Sequence, residues 1–417
     1  MTVIILTLCL IFLHEGFSYY VSFQVLALLT IAVSVLSKFR SVSGGPQFFI
    51  VFAVFGIFLV YKAIVAPRII IQNDDPNVPR AVVGILGYAF MIGSIPHIRF
   101  RQPVLILKKL RSASSATILI LAGLLALSES NLIPFLNREA FMQQNTRLVE
   151  NWAMQEAVDA NLEFGMEIKP DLFYGEGSAL AVVLFSCLGC FIISSKLLIQ
   201  DSNTSDRSML KSRFKHTDTI ILIGLACLFI CQSLSAIVYG VVILFFVYLR
   251  ERLALSKLMN WKTGVTITII LAIFIYFSYD NVMFRMSGSG GYYSIVQRFG
   301  VLLIIEPIDF LLGFDESKIP DHGRLQMRNG VIYIIAISGL AGLLYLISLS
   351  YSVFKLSIPI KLSLFSVLLV LGTMMQNMGV FSPNKIVLLW LILLPLACGG
   401  SMYPRQRPVA IAGNMNE

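Results

Sequence analysis

Long apolar runs separated by short polar stretches dominate the chain from one end to the other. A helix needs about 20 apolar residues to cross the hydrocarbon core of a membrane, and somewhat fewer where its ends are polar. By this measure the pattern predicts twelve spans. They cover residues 2–13, 17–37, 47–66, 82–98, 116–135, 177–195, 218–232, 235–249, 263–279, 330–351, 359–378 and 384–400. The predicted fold class is all-α, a polytopic integral membrane protein.

Two segments between these spans are too long to be simple connectors. Segment 136–176 is acidic, and its apolar residues have the loosely helical spacing of an amphipathic helix at the membrane interface. Segment 280–329 contains the apolar run 301–314, which is too short and too interrupted to span and is predicted to be interfacial or re-entrant. The predicted units are helices 1–5 in 1–135, the first loop in 136–176, helices 6–9 in 177–279, the second loop in 280–329, and helices 10–12 with a tail in 330–417.

Composition and charge support this topology. Hydrophobic residues make up 57% of the chain and charged residues 13%, which is too little polar surface for a water-soluble protein. Of the 32 Lys and Arg residues, 20 fall on one side of the twelve-span topology with only 5 acidic residues. Basic residues favour cytoplasmic loops, so we predict an inner-membrane protein with both termini in the cytoplasm and the two long loops in the periplasm. The net charge of +9 then reflects topology and not nucleic-acid binding.

Arginines concentrate in the second long loop. They are Arg285, Arg298, Arg324 and Arg328. A guanidinium group suits bidentate binding of phosphate oxygens and stays charged in any protein environment. This cluster therefore indicates a site for a phosphorylated ligand. Pairing with acidic residues of the same loop, or with lipid head groups, is the alternative interpretation.

Two residues are candidate bases. His322 lies in the second long loop, and an imidazole can deprotonate a hydroxyl near neutral pH. Glu176 lies where the first long loop enters the sixth span. The structural alternatives are a solvated loop histidine and a carboxylate that favours helix entry. No nucleotide-binding loop or set of residues with metal-ligand spacing accompanies them, so we predict no cofactor and no metal.

Four short motifs carry a resemblance to a known family. They are Phe173–Ser178 at the start of a span, Ser233-Leu234-Ser235 between two spans, Arg298 before the run that ends at Leu312-Gly313-Phe314, and Asn329 before Gly339–Gly342. With its overall layout, the chain resembles the Wzy family of bacterial polysaccharide polymerases. It resembles more distantly the WaaL-type O-antigen ligases, which share a GT-C-like membrane fold. The ligases carry His-Asn where this chain has Arg328-Asn329, which disfavours a ligase.

The resemblance implies a metal-independent glycosyltransferase. It would move a growing glycan from undecaprenyl pyrophosphate to the next lipid-linked repeat unit at the periplasmic face. The implied catalytic residues are His322, Glu176 and Arg328; the implied substrate-binding residues are Arg285, Arg298, Arg324, Asn329, Ser233 and Ser235. The expected partners are undecaprenyl-pyrophosphate-linked oligosaccharide and membrane lipids, with a chain-length regulator and a flippase as further candidates and no nucleic acid.

Two other functions stay open. A ligase of the same fold would use the same donor and a different acceptor. A flippase or transporter of the lipid-linked oligosaccharide is disfavoured, because transporters place ionisable residues near the bilayer midplane in broken helices. In this sequence the deep positions are almost free of charge, and the ionisable residues crowd the outer face.

Overall fold

Helices make up nearly all of the chain that the structure describes. The computed structural model describes residues 2–13, 23–43, 46–70, 77–129, 177–201, 207–231, 234–249, 306–315, 329–375 and 383–403. The helices are α1 Thr2–Ile11, α2 Phe23–Leu36, α3 Pro46–Val65, α4 Pro67–Ile70, α5 Val78–Ser94, α6 Pro103–Glu129, α7 Gly177–Asp201, α8 Arg207–Ile230, α9 Leu234–Ile243, α10 Pro307–Leu312, α11 Gly330–Ser357, α12 Ser363–Met375 and α13 Pro383–Met402. A 3₁₀ turn follows α5 at Ile95–His97, and a π-helical turn follows α9 at Leu244–Leu249. Strands β1 Phe39–Val42 and β2 Ile98–Phe100 form an antiparallel pair.

The lengths and composition of the helices support the prediction of a membrane protein. Six of them are long and apolar enough to cross a membrane, and five further apolar helices have 10 to 17 residues. Each of these helices overlaps one predicted span. The remaining predicted span, 263–279, lies outside the described residues, as does the interfacial helix predicted in 136–176. The total of twelve spans and the GT-C-like arrangement stay predictions.

The starts of α6 and α8 differ from the prediction. These helices begin at Pro103 and Arg207, whereas hydropathy predicted starts at 116 and 218. The extra turns carry basic residues, which lower the hydropathy but are good helix formers. In α6, the guanidinium of Arg111 lies 5.4 Å from the centre of the Phe191 ring on α7. This cation–π contact stabilises the charge of Arg111 where α6 packs against α7.

α8 and α9 are two helices packed against each other and not one long bent helix. α8 ends at Ile230 and α9 begins at Leu234. The two helices pack against each other so closely that a Cβ at Gly240 would lie 3.1 Å from the ring of Phe229. This settles the two alternatives that the spacing of Ser233 and Ser235 left open.

Basic residues from separate loops meet at one end of the bundle. The backbone N–H of Arg101, after β2, donates to the carbonyl of Lys38, before β1. Burial and the neighbouring charge of Lys109 lower the pKa of Lys38. Lys361 before α12 also acts electrostatically on Lys196 near the end of α7. These basic residues are among those that the charge pattern predicted on one side of the membrane. We call the end of the bundle where they lie the basic end.

Two helices form the centre of the bundle. In both α7 and α13, 83% of the residues in the most apolar 18-residue stretch of the helix are buried. α13 packs against α2, α5, α6, α7, α11 and α12. Ser401 near its end accepts a hydrogen bond from the backbone N–H of Phe100 in β2, 3.0 Å long. The six cysteines are buried and form no disulfide bonds, in agreement with their apolar surroundings in the sequence.

Candidate functional site

Helix α11 is broken one third of the way along its length. Gly339 has φ 54° and ψ −130°, a conformation close to the first central residue of a type II′ turn, which favours glycine. A Cβ at Gly339 would overlap the carbonyl oxygen of Leu311 and would lie 2.5 Å from the backbone nitrogen of Gly313. Only glycine therefore permits this contact between α11 and the end of α10. Irregular backbone at this depth in a membrane is tolerated where protein surrounds it or where it lines a cavity.

The segment Glu306–Asp315 fills the space beside this break. The backbone N–H of Glu306 donates to the carboxylate of Asp309 over 2.7 Å, which fixes the first turn of α10. The helix ends at Leu312, and the C-cap residue that follows, Gly313, has a φ of 76°. The next backbone N–H, from Phe314, donates to the carbonyl of Ala336 on α11 over 2.8 Å. The bond therefore satisfies a backbone carbonyl three residues before the break.

This geometry favours the re-entrant alternative for the apolar run 301–314. Ala336 lies six residues after the start of α11, which corresponds to about 9 Å along a helix axis. Phe314 reaches this depth, where it is 1% exposed. The chain therefore enters the bundle beside α11 instead of resting at its end.

A buried lysine, Lys62, connects α3 to the segment Glu306–Asp315. We call the place where Lys62, this segment and the break in α11 meet the junction. Lys62 lies in the last turn of α3, and only 4% of it is exposed. Its ammonium group donates a 2.7 Å hydrogen bond to the carbonyl oxygen of Phe314. The carboxylates of Asp315 and Asp309 attract the same ammonium group, and Asp309 is 2% exposed. Paired charges of this kind avoid the large cost of burying an isolated ion.

The junction lies far from the basic end. α3 begins at Pro46, just after β1, and Lys62 lies 16 residues further on, about 24 Å along the helix. The hydroxyl of Tyr333 on α11 contacts the carbonyl of Ile70, so the chain after α3 also meets the start of α11 here. The junction therefore belongs to the end that the charge pattern predicts to face the periplasm.

Asn329 is a predicted site residue that the structure describes at the start of α11. Its side-chain oxygen accepts hydrogen bonds from the backbone N–H groups of Val331, over 3.1 Å, and Ile332, over 3.3 Å. It is 2% exposed. These bonds make it the N-cap of α11, a structural role that the sequence alone did not reveal. Its implied contact with substrate stays a prediction.

Ser235 lies on a different helix. It is buried in the first turn of α9, which packs against α7, α8 and α12. Tyr239, one turn further on, donates to the carbonyl of Gly372 in α12 over 2.9 Å. The other predicted site residues lie outside the described residues: Glu176, Ser233, Arg285, Arg298, His322, Arg324 and Arg328.

A second buried lysine has a structural explanation. Lys385 in α13 donates a 3.0 Å hydrogen bond to the carbonyl of Thr373, in the last turn of α12. The last carbonyls of a helix lack partners within the helix and carry partial negative charge. Lys385 therefore caps α12, whereas Lys62 binds a non-helical carbonyl beside a broken helix.

The sequence analysis did not single out Lys62. The available signal was one lysine within the apolar run 47–66. A lysine so close to the end of a span normally extends its ammonium group to the interface, so the sequence gives no reason to expect burial.

None of the family models, curated proteins and solved structures compared with this chain matches it.

Proposed function

We propose that the protein polymerises a lipid-linked glycan at the end of the bundle that contains the broken helix. The supporting observation is the junction of Lys62, Asp309 and the break at Gly339. Asp315, which interacts with Lys62 there, and Asn329, the N-cap of α11, are the residues on either side of 316–328. That stretch contains His322, Arg324 and Arg328, which are three of the candidate catalytic and substrate-binding residues from the sequence.

The proposed reaction transfers the growing glycan between two lipid-linked molecules. A hydroxyl oxygen of the incoming repeat unit attacks the anomeric carbon of the growing chain, and the bond from that carbon to undecaprenyl pyrophosphate breaks. The leaving pyrophosphate gains negative charge, which Arg285, Arg298 and Arg328 would stabilise. The hydroxyl proton passes to His322 or Glu176. Lys62 is assigned a positioning role, because its ammonium group already binds Phe314 and the nearby carboxylates.

A flippase or transporter is the second candidate, and the broken α11 favours it. Discontinuous helices with exposed backbone groups form the binding sites of many transporters. The buried Lys62 and Asp309 also add ionisable groups below the end of the bundle, where hydropathy alone suggested few. Ligation by the same fold is the third function, and it differs from polymerisation only in the acceptor.

The test follows the fate of the glycan. The full-length protein is reconstituted in vesicles with an undecaprenyl-pyrophosphate-linked repeat unit, and the products are separated on a gel. Polymerisation produces a ladder of lipid-linked glycans, and Arg298→Ala or Arg285→Ala should abolish it. Arg101→Ala at the basic end is the matched control and should leave the ladder unchanged. Full ladders from either loop variant would refute the role in binding pyrophosphate.

The rival functions give different products in the same vesicles. Movement of a fluorescent lipid-linked sugar across the bilayer without lengthening would identify a flippase. Transfer of the glycan to an added lipid A core acceptor would identify a ligase. The orientation is tested in cells, where alkaline phosphatase fused after residue 320 should be active and a fusion after residue 110 should be inactive.

A further inference from the structure

A cavity of about 460 Å³ lies at the basic end, away from the junction at Lys62. It lies between the start of α3, the 3₁₀ turn after α5, the second half of α11 and the end of α13. Phe48, Leu356 and Pro359 supply apolar walls. A cavity of this size accommodates a small molecule or the head group of a lipid.

The polar part of the wall is basic. The two cations Arg99 and Lys355 line the cavity together with the imidazole of His97 and the hydroxyls of Ser348 and Ser352. Among the described residues that line it, none is an aspartate or a glutamate. Asp201 acts electrostatically on Tyr403, which also lines the cavity. The wall therefore favours an anion.

Local contacts hold both cations in place. The Nη1 atom of Arg99 donates to the carbonyls of Pro96, over 3.3 Å, and Ile98, over 3.2 Å. The same nitrogen would lie 3.1 Å from a Cβ at Gly400, so the guanidinium rests closely against α13. The ammonium group of Lys355 lies 5.2 Å from the centre of the Tyr351 ring. Cations held in this way lose little conformational entropy when a ligand binds.

The rim of the cavity continues into the lipid-facing surface. Tyr351 lines the cavity and is 61% exposed. Exposed apolar side chains flank it on α11 at Ile347 and Phe354, and on α3 at Phe49. Such surfaces face acyl chains in a membrane protein, and basic residues at the ends of spans lie at the depth of the lipid phosphates. The cavity thus combines a cationic interior with an apolar opening.

We propose that this cavity binds a phosphate-bearing anion, with Arg99 and Lys355 contacting the phosphate oxygens. The phosphate has two possible sources, the head group of an anionic membrane lipid and a soluble phosphate compound. Guanidinium and ammonium groups bind both through the same charge-assisted hydrogen bonds. This site would serve a ligand at the face opposite the proposed polymerisation chemistry and does not depend on that function.

The experiment measures binding to the purified full-length protein in a neutral detergent. In one arm, native mass spectrometry counts bound phosphatidylglycerol, with phosphatidylcholine as the uncharged comparison. In the other arm, calorimetry measures the binding of inorganic pyrophosphate. The test variants are Arg99→Gln and Lys355→Gln. The matched controls are Arg101→Gln and Lys361→Gln, because both residues are exposed at the same end of the bundle and do not line the cavity.

The expected result is that one anion binds and that each test variant weakens it about fivefold, the effect of one basic residue near a lipid surface. Preference for phosphatidylglycerol assigns the lipid source, and binding of pyrophosphate alone assigns the soluble source. Arg99→Gln also removes two hydrogen bonds to backbone carbonyls. If the Arg99→Gln variant is misfolded for this reason, Lys355→Gln is the decisive variant. Equal binding by wild type, test variants and controls, or no binding of either anion, would overturn the proposal.

Discussion

Gly339→Ala tests whether α11 is broken. In the structure, the added methyl group would overlap the carbonyl oxygen of Leu311 and crowd the nitrogen of Gly313. A side chain at φ 54° and ψ −130° costs about 1 to 3 kcal/mol in backbone strain. Crowding in a packed interior costs about 1 to 3 kcal/mol more. The expected loss in free energy of unfolding is therefore about 2 to 6 kcal/mol.

The opposite sign is expected if α11 is a continuous helix. Replacing a glycine inside a regular helix by alanine stabilises it by up to about 1 kcal/mol. Gly84→Ala is the matched control, since it lies inside α5 and a Cβ there meets no atom within 4 Å. Both variants are unfolded with SDS in mixed micelles and followed by tryptophan fluorescence. If Gly339→Ala is as stable as Gly84→Ala, the break and its contact with α10 do not exist.

Three further substitutions are measured by the same unfolding assay. Lys62→Met should destabilise the protein by about 3 kcal/mol, because it removes one partner of a buried charged group, and Lys361→Met at an exposed position should have no effect. Asn329→Ala should cost about 1 kcal/mol through loss of the α11 cap, whereas Asn329→Asp should retain most of the stability. Tyr345→Phe should cost about 1 kcal/mol, because the hydroxyl of Tyr345 donates to a buried carbonyl over 2.8 Å, while Tyr351→Phe should be neutral. Equal stability of a test variant and its control would contradict the contact concerned.

Hydropathy predicted the positions of the helices well because membrane burial depends on the apolar content of a continuous segment. It failed at the starts of α6 and α8, where basic residues continue the helix after the apolar run has stopped. It also could not detect the break in α11. The segment 330–351 contains no charged residue, and the close contact between Gly339 and Leu311 joins residues that are far apart in the sequence.

The candidate site was predictable in part. The interruption of 301–314 by charged residues and a proline predicted a short, broken element, and its described part contains the six-residue helix α10. The burial of Lys62 was not predictable, because its partner Phe314 is distant in the sequence and offers only a backbone oxygen. Main-chain groups have the same chemistry at every position, so a sequence contains no specific signal for such a contact.

The position of α13 has a consequence for the assembly of the protein. It is one of the two most enclosed helices, and it follows all the other described helices in the chain. During synthesis, its neighbours α2, α5, α6, α7, α11 and α12 emerge before it does. The native packing of these helices against one another and against α13 is complete only once α13 has inserted. The central packing of the described bundle, including the contact between Ser401 and β2, therefore forms only after the other described helices have been synthesised.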